Sequence, residues 1–174
     1  RYGSNMLSCI ARDLLMSRAD RLLMYGDEDL ERMISRGIDA SKIVIAWNTT
    51  HVPNHRNYSD AQKTSLLFVG RLQDRKRIDL VIEIFAQLQG RLSGQITLDI
   101  IGGGEIESKL KRIADNLDIS HKVNFHGRID DPEILADMFS RAYAYVSPGA
   151  VGLGVLHSLA YGVPVITLRD EHHG

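Results

Sequence analysis

Glycines stand where four predicted strands of this chain end, and basic residues accompany them at two of these places. The string "VGRLQDRKR" (69–77) carries Arg71 and Lys76, five residues apart, just after an apolar run. Three similar strings follow later strands: "IIGGGE" (100–105), "FHGRID" (125–130) and "SPGAVGLG" (147–154). Glycine lets a backbone approach a ligand closely, and N–H groups at a helix start favour an anion. A guanidinium and an ammonium would add charge-assisted hydrogen bonds, so the pattern predicts a site for a phosphate or diphosphate ester.

The same residues allow other interpretations. The glycines could serve only to turn the chain, and the basic residues could form a solvated helix start, although cations there oppose the helix dipole. Neither "GGGEIES" (102–108) nor "GLGVLH" (152–157) is the G-x-G-x-x-G fingerprint of dinucleotide binding. The seven histidines include no helical metal-binding pair, and no catalytic triad is evident. We therefore predict no metal site.

The elements that would position these loops alternate regularly from Ser65 onward. Strands are predicted at 65–70, 95–104, 122–127, 143–149 and 163–168, and helices at 75–90, 105–119, 131–142 and on the segment that follows Gly152. This alternation predicts an α/β fold, a Rossmann-like, mostly parallel sheet with helices on both faces. Ligands of such folds bind at the carboxyl edge of the sheet, so we expect the four loops to meet there.

The residues before position 51 have a pattern of their own. It predicts a helix at 4–18, strands at 21–26 and 42–47, and between them a helix capped by Asp27 and ended by Gly37. We predict three parts: residues 1–50 as the end of one domain, 51–63 as a linker, and 64–174 as a second domain truncated at its end. The chain opens without Met and stops just after a strand, so we expect a piece of a longer protein.

The composition is that of a globular domain. Of the 174 residues, 44% are hydrophobic and the net charge is -1, which disfavours disorder and nucleic-acid binding. Cys9 is the single cysteine, so no internal disulfide can form, which fits a reducing, cytosolic setting. No apolar run approaches the roughly 20 residues of a membrane span.

The string from Leu66 to Thr167 resembles the carboxyl-terminal, donor-binding half of GT-B glycosyltransferases. It is most similar to the retaining family 4, or group 1, enzymes of the bacterial surface-polysaccharide type. Their pattern of V-G-R-L-x-x-x-K, G-x-G, F-x-G and a final glycine-flanked helix corresponds here to "FVGRLQDRK", "IIGGGE", "VNFHG" and "SPGAVGLGVLHSLAYGVPVI". The earlier string "RADRLLMYGDEDLERMISRGIDASKIVIAWNTTHV" resembles the end of the amino-terminal domain of that family.

The resemblance implies transfer of a sugar from a nucleotide donor, such as a UDP- or GDP-sugar, to a glycan or lipid-linked acceptor. Arg71 and Lys76 match the catalytic basic pair that grips the diphosphate, and they would stabilise its growing charge without a divalent metal. The other donor-binding positions are Gly70, Gly103, Arg128, Ile129, Gly149, Val151, Gly152, Leu153 and His157. His172 and His173 are candidates for sugar contact.

The resemblance also implies a setting for the full-length enzyme. It would work in the cytoplasm or at the inner face of the membrane. This piece alone would bind the nucleotide but transfer little sugar, because most of the acceptor domain is missing.

The chain departs from the family pattern at two positions. Counting back from Gly162 and Pro164, the two glutamates of the family fall on Gly149 and His157. His157 could still contact a ribose hydroxyl, whereas Gly149 offers only backbone. Retention or inversion at the sugar therefore stays open, as do two other functions: a GT-B-like sugar-nucleotide epimerase and a non-catalytic nucleotide-binding domain. A dehydrogenase fits less well.

Overall fold

The structure is a computed structural model of the chain, and it describes residues 6–47, 49, 62–91, 96–150 and 152–169. The chain divides into two compact units, Arg1–Thr49 and Thr50–Gly174. Residues 51–61 of the predicted linker lie outside the described residues. None of the described helices is long and apolar enough to cross a bilayer.

The described residues of the first unit form two helices and two short parallel strands. Its elements are α1 (Met6–Arg18), β1 (Leu22–Met24), α2 (Asp27–Ile34), a 3-10 turn (Ala40–Lys42) and β2 (Ile43–Ile45). The prediction that Asp27 caps α2 is wrong, because Asp27 is the first helical residue and the extended Gly26 holds the cap position. Acidic side chains in a first helical turn suit the helix dipole there. Gly37, with φ of 82°, follows the end of α2 as predicted.

The second unit is a five-stranded sheet with helices on both faces. Its elements are β3 (Ser65–Val69), a 3-10 turn (Asp74–Lys76), α3 (Ile78–Leu88), β4 (Thr97–Ile101), α4 (Glu107–Asn116), a second 3-10 turn (Ser120–Lys122), β5 (Val123–Gly127), α5 (Pro132–Ser140), β6 (Ala142–Val146), α6 (Leu153–Ala160) and β7 (Val165–Ile166). The strands pair in the order β5-β4-β3-β6-β7, and every pairing is parallel.

Two separate apolar clusters hold the helices onto the sheet. On one face, α3 and α4 pack over the strands through residues such as Ile82, Phe85 and Leu110. On the other face, α5 and α6 pack through residues such as Phe139 and Val155. Side chains alternate between the faces of a strand, so one apolar strand supplies both clusters. The predicted fold class is confirmed.

One charged residue interrupts the apolar pattern of β4. Asp99 is 8% exposed, and its Oδ1 accepts hydrogen bonds from Asn124 Nδ2 and His126 Nε2, both at 2.9 Å. All three side chains line a cavity of about 210 Å³. The two β5 side chains provide the partners that a buried carboxylate requires. His126 thus lies within β5, as the predicted strand at 122–127 has it, and contacts Asp99.

The loop after β3 differs from the predicted long helix at 75–90. Lys76 ends the 3-10 turn, Arg77 adopts the left-handed conformation with φ of 53°, and α3 starts only at Ile78. A residue with positive φ cannot continue a right-handed helix. Lys76 therefore belongs to a turn that is separate from α3, which corrects the expectation that it lies in the first turn of the helix.

Candidate functional site

A cavity of about 540 Å³ opens where β3, β4 and β5 end. Its lining consists of Val69, Gly70, Arg71, Ile101, Gly102, Gly103, Arg128 and Ile129. Five of these residues were predicted to bind the donor: Gly70, Arg71, Gly103, Arg128 and Ile129. The parallel sheet thus brings together residues from three loops that are far apart in the sequence, at the edge where such folds bind ligands.

Backbone hydrogen bonds between the loops build the wall of this cavity. Gly70 N–H donates to Ile101 O at 2.9 Å, Gly102 N–H donates to Gly127 O at 2.7 Å, and Leu72 N–H donates to Gly103 O at 3.0 Å. These bonds continue the ladder of the sheet beyond its strands. These hydrogen bonds position the backbone of the loops relative to one another.

The glycine triplet after β4 has two distinct roles in this wall. A Cβ at Gly102 would lie 1.8 Å from Gly70 O, and one at Gly104 would lie 2.2 Å from Leu72 O. A Cβ at Gly103 would meet no atom within 4 Å. The outer two glycines allow neighbouring loops to touch, and the middle one leaves space beside the cavity.

A second pair of loops packs together around Lys76. Ala150 N–H donates to Arg75 O at 2.8 Å, and the Lys76 ammonium donates to Ala150 O. A Cβ at Gly149 would lie 2.2 Å from Arg75 O, and one at Gly152 would lie 3.1 Å from Lys76 Nζ. Position 149 thus has no room for a side chain, because the backbone of the turn at Asp74–Lys76 fills that space.

The Lys76 ammonium is only half exposed to water. Its burial, and then the charge of Arg75, lower the pKa of Lys76 from its ordinary value. The carbonyl of Ala150 is a neutral partner and does not balance the positive charge. A nearby anion would favour the charged form, so this position suits an anionic ligand.

The cations of this edge differ in whether a carboxylate already pairs with them. Arg77 Nε lies 3.4 Å from Asp79, and Arg128 Nε lies 2.9 Å from Asp130. Within the described parts of the chain, Arg71 forms no such ion pair, and its exposed side chain lines the cavity. Arg71 is therefore the cation best placed to meet an anion that enters the cavity.

Helix α6 carries the remaining predicted residues. It begins at Leu153, directly after the extended Gly152, and His157 lies in its second turn. Burial lowers the pKa of His157 from its ordinary value, which favours the neutral imidazole. A neutral imidazole can both donate and accept a hydrogen bond, as contact with a hydroxyl requires.

The structure does not gather all predicted residues in one cavity. Lys76, Gly149, Gly152, Leu153 and His157 are not part of the lining of the 540 Å³ cavity. Val151, His172 and His173 lie outside the described residues.

Sequence reasoning missed Tyr145, a buried residue of β6 that touches both β3 and α6. Its signal in the sequence is weak, because "AYAYV" places two tyrosines two residues apart on one face of the strand, and the pattern does not show which of them is covered.

The family model described as "Glycosyl transferases group 1" matches residues 54–172. The chain belongs to this family. Over 167 residues it is 24% identical to an uncharacterized glycosyltransferase of Haemophilus influenzae, covering 96% of this chain and 47% of that protein. It is 30% identical over 164 residues to the alpha-monoglucosyldiacylglycerol synthase of Streptococcus pneumoniae, covering 90% of this chain and 35% of the synthase. The chain thus spans half the length of these relatives or less.

A solved structure shows the same fold. The pneumococcal O-GlcNAc transferase GtfA, in complex with UDP and GlcNAc, aligns with a TM-score of 0.75 and 19% identity over 93% of this chain and 32% of that one. This likeness confirms the GT-B fold that the sequence motifs indicated.

Proposed function

We propose that the protein is a glycosyltransferase that moves a sugar from a nucleotide-diphospho-sugar to an acceptor in bacterial glycolipid or surface-polysaccharide synthesis. This chain would supply the donor-binding domain. The observation that carries the proposal is the cavity at the carboxyl edge of the sheet, in which Arg71 stands without a carboxylate partner among the described residues. Because the chain belongs to the group 1 family, we propose a nucleotide sugar as the ligand of that cavity.

The proposed chemistry rests on Arg71 and Lys76. As the bond between sugar and diphosphate breaks, negative charge grows on the leaving oxygens. Cations already fixed near those oxygens stabilise that charge more in the transition state than in the bound donor. The half-buried position of Lys76 strengthens this effect because water screens it less. We propose that these two cations make a divalent metal unnecessary.

The proposed function also gives a role to each of the other predicted residues. Arg128 and Ile129 line the cavity beside Gly103 and would face the base of the nucleotide. His157 would contact a ribose hydroxyl, and His172 or His173 would contact the sugar. The acceptor, a glycan or a lipid-linked sugar, would bind through residues outside this chain. The reaction would take place in the cytoplasm or at the inner face of the membrane.

A binding panel tests the proposed function. The 174-residue chain is mixed at millimolar concentration with UDP-, GDP- and ADP-sugars and with NADH, and its melting temperature and amide NMR spectrum are recorded. We expect at least one nucleotide sugar to raise the melting temperature and to shift the amide signals of Gly70, Arg71 and Gly103. NADH should do neither. If no nucleotide sugar changes either reading, the proposed function is wrong.

Lys76 should give nucleotide binding a pH dependence. Only the protonated ammonium attracts phosphate, and burial lowers the pKa of Lys76 from 10.5. Affinity for UDP should therefore be full at neutral pH and fall as the pH rises through this lowered pKa. Lys76→Arg keeps its charge because a guanidinium stays protonated throughout this pH range. The affinity of this variant for UDP should therefore stay level. Calorimetric titrations at several alkaline pH values compare the two proteins, and parallel curves would contradict the prediction.

A further inference from the structure

The side chain of Tyr145 joins three elements of the second unit. It lies in β6 with 2% of its surface exposed, and its hydroxyl donates a hydrogen bond to Val69 O, the last carbonyl of β3, at 3.0 Å. Burial raises the pKa of Tyr145, so the phenol stays protonated and remains a donor at neutral pH. Its partner Val69 directly precedes Gly70 and Arg71, and all three residues line the 540 Å³ cavity.

Neighbouring rings hold this hydroxyl in place. The Tyr145 ring lies 6.2 Å from the Phe139 ring of α5 and 6.4 Å from the Phe68 ring of β3, measured between centroids. Aromatic pairs at such distances stabilise each other, and side chains in a close-packed core sit in rotamer minima. Packing of the ring therefore favours the position in which the hydroxyl bonds to Val69 O of β3.

The first turn of α6 rests on the same hydroxyl. A Cβ at Gly154 would lie 2.1 Å from Tyr145 Oη and 3.0 Å from Val69 O. Only a residue without a side chain lets the helix backbone come this close. The hydroxyl and Val69 O therefore both lie against the first turn of α6, and the hydrogen bond between them links the start of the helix to the end of β3.

We propose that Tyr145 is a positioning residue that sets the distance between the first turn of α6 and the segment Val69–Arg71. Arg71 is one of the two cations to which the proposed function assigns the diphosphate, and Gly152 and Leu153 at the start of α6 are predicted donor-binding positions, so the inference rests on that function. A diphosphate has a fixed span between its phosphates, and small errors in the spacing of its binding groups weaken all of their hydrogen bonds together.

Replacement of one hydroxyl tests this role. Tyr145→Phe keeps the packed ring and removes the hydroxyl that donates to Val69 O and interacts with the Ser147 side chain, and Tyr143→Phe makes the same change at a position that is 48% exposed in the same strand. We expect Tyr145→Phe to weaken UDP binding about 5- to 10-fold, as the loss of one hydrogen bond predicts, and Tyr143→Phe to bind as the wild type does. Calorimetry gives the dissociation constants at a temperature where every variant is folded.

A second measurement separates positioning from general stability. In the absence of UDP, Tyr145→Phe should shift the amide NMR signals of Gly70, Arg71 and Gly154, whereas Tyr143→Phe should not. Gly154→Ala should lower the melting temperature less in the Tyr145→Phe background than in the wild type, because the nearest clashing atom is gone. These two measurements need no ligand. They therefore test the contact of Tyr145 with Val69 and α6 even if the wild type does not bind UDP and the proposed function is wrong. Wild-type UDP affinity and unchanged amide signals in Tyr145→Phe would overturn the inference.

Discussion

Lys76→Ala is expected to weaken binding of a nucleotide diphosphate by about 1–3 kcal/mol, or roughly 5- to 150-fold in the dissociation constant. The ammonium is half-buried, its pKa is lowered by burial, and its described partner is the neutral carbonyl of Ala150. An arriving phosphate would therefore balance a charge that no carboxylate among the described residues pairs with. Arg71→Ala should have an effect of similar size, since Arg71 lines the cavity without an ion-pair partner among the described residues.

Lys109→Ala is the matched control for these two variants. Lys109 is also near the loop that follows β3, but it is an exposed residue and already pairs with Asp74 at 2.9 Å. Removing this cation should leave UDP affinity within about twofold of the wild type, as is usual for an exposed ion pair. Calorimetric titration of UDP into the three variants measures the difference. If Arg71→Ala and Lys76→Ala both keep wild-type affinity, the assignment of the diphosphate to these residues is wrong.

Gly102→Ala is expected to lower the free energy of unfolding by about 3 kcal/mol or more. The added Cβ would lie 1.8 Å from Gly70 O, and the backbone of Gly102 has φ of 131°, which residues with side chains rarely adopt. Neither backbone segment can move freely, because Gly102 N–H donates a hydrogen bond to Gly127 O and Gly70 N–H donates one to Ile101 O. The loops after β3 and β4 would have to separate.

Gly103→Ala provides the comparison for that experiment. A Cβ at Gly103 would meet no atom within 4 Å, so the free energy of unfolding should change by no more than about 0.5 kcal/mol. Urea denaturation followed by circular dichroism gives both values. Equal stability of the two variants would show that the loops yield more easily than their packing indicates.

Much of this architecture could be predicted from the sequence because it depends on local patterns. Apolar strands that alternate with amphipathic helices predicted the parallel sheet, and the order of the glycine and basic motifs indicated the family. The carboxyl-edge rule then predicted that Arg71, Gly103 and Arg128 would share one cavity, and they do. Such predictions succeed because the hydrophobic periodicity of an element, and the position of the loop that follows it, depend on residues that are adjacent in the sequence.

The tertiary structure decided what each loop residue touches. Gly102 and Gly103 are alike in the sequence, yet only Gly102 is held against Gly70, because β3 and β4 are neighbours in the sheet. The packing of Gly149 on Arg75 and the hydrogen bond of Tyr145 with Val69, which lies 76 positions away, depend in the same way on the meeting of distant segments. The sequence alone determined the fold class and the family. Contacts between distant segments determined which glycines are required, which cation is half-buried and which tyrosine is fixed, because no local pattern records them.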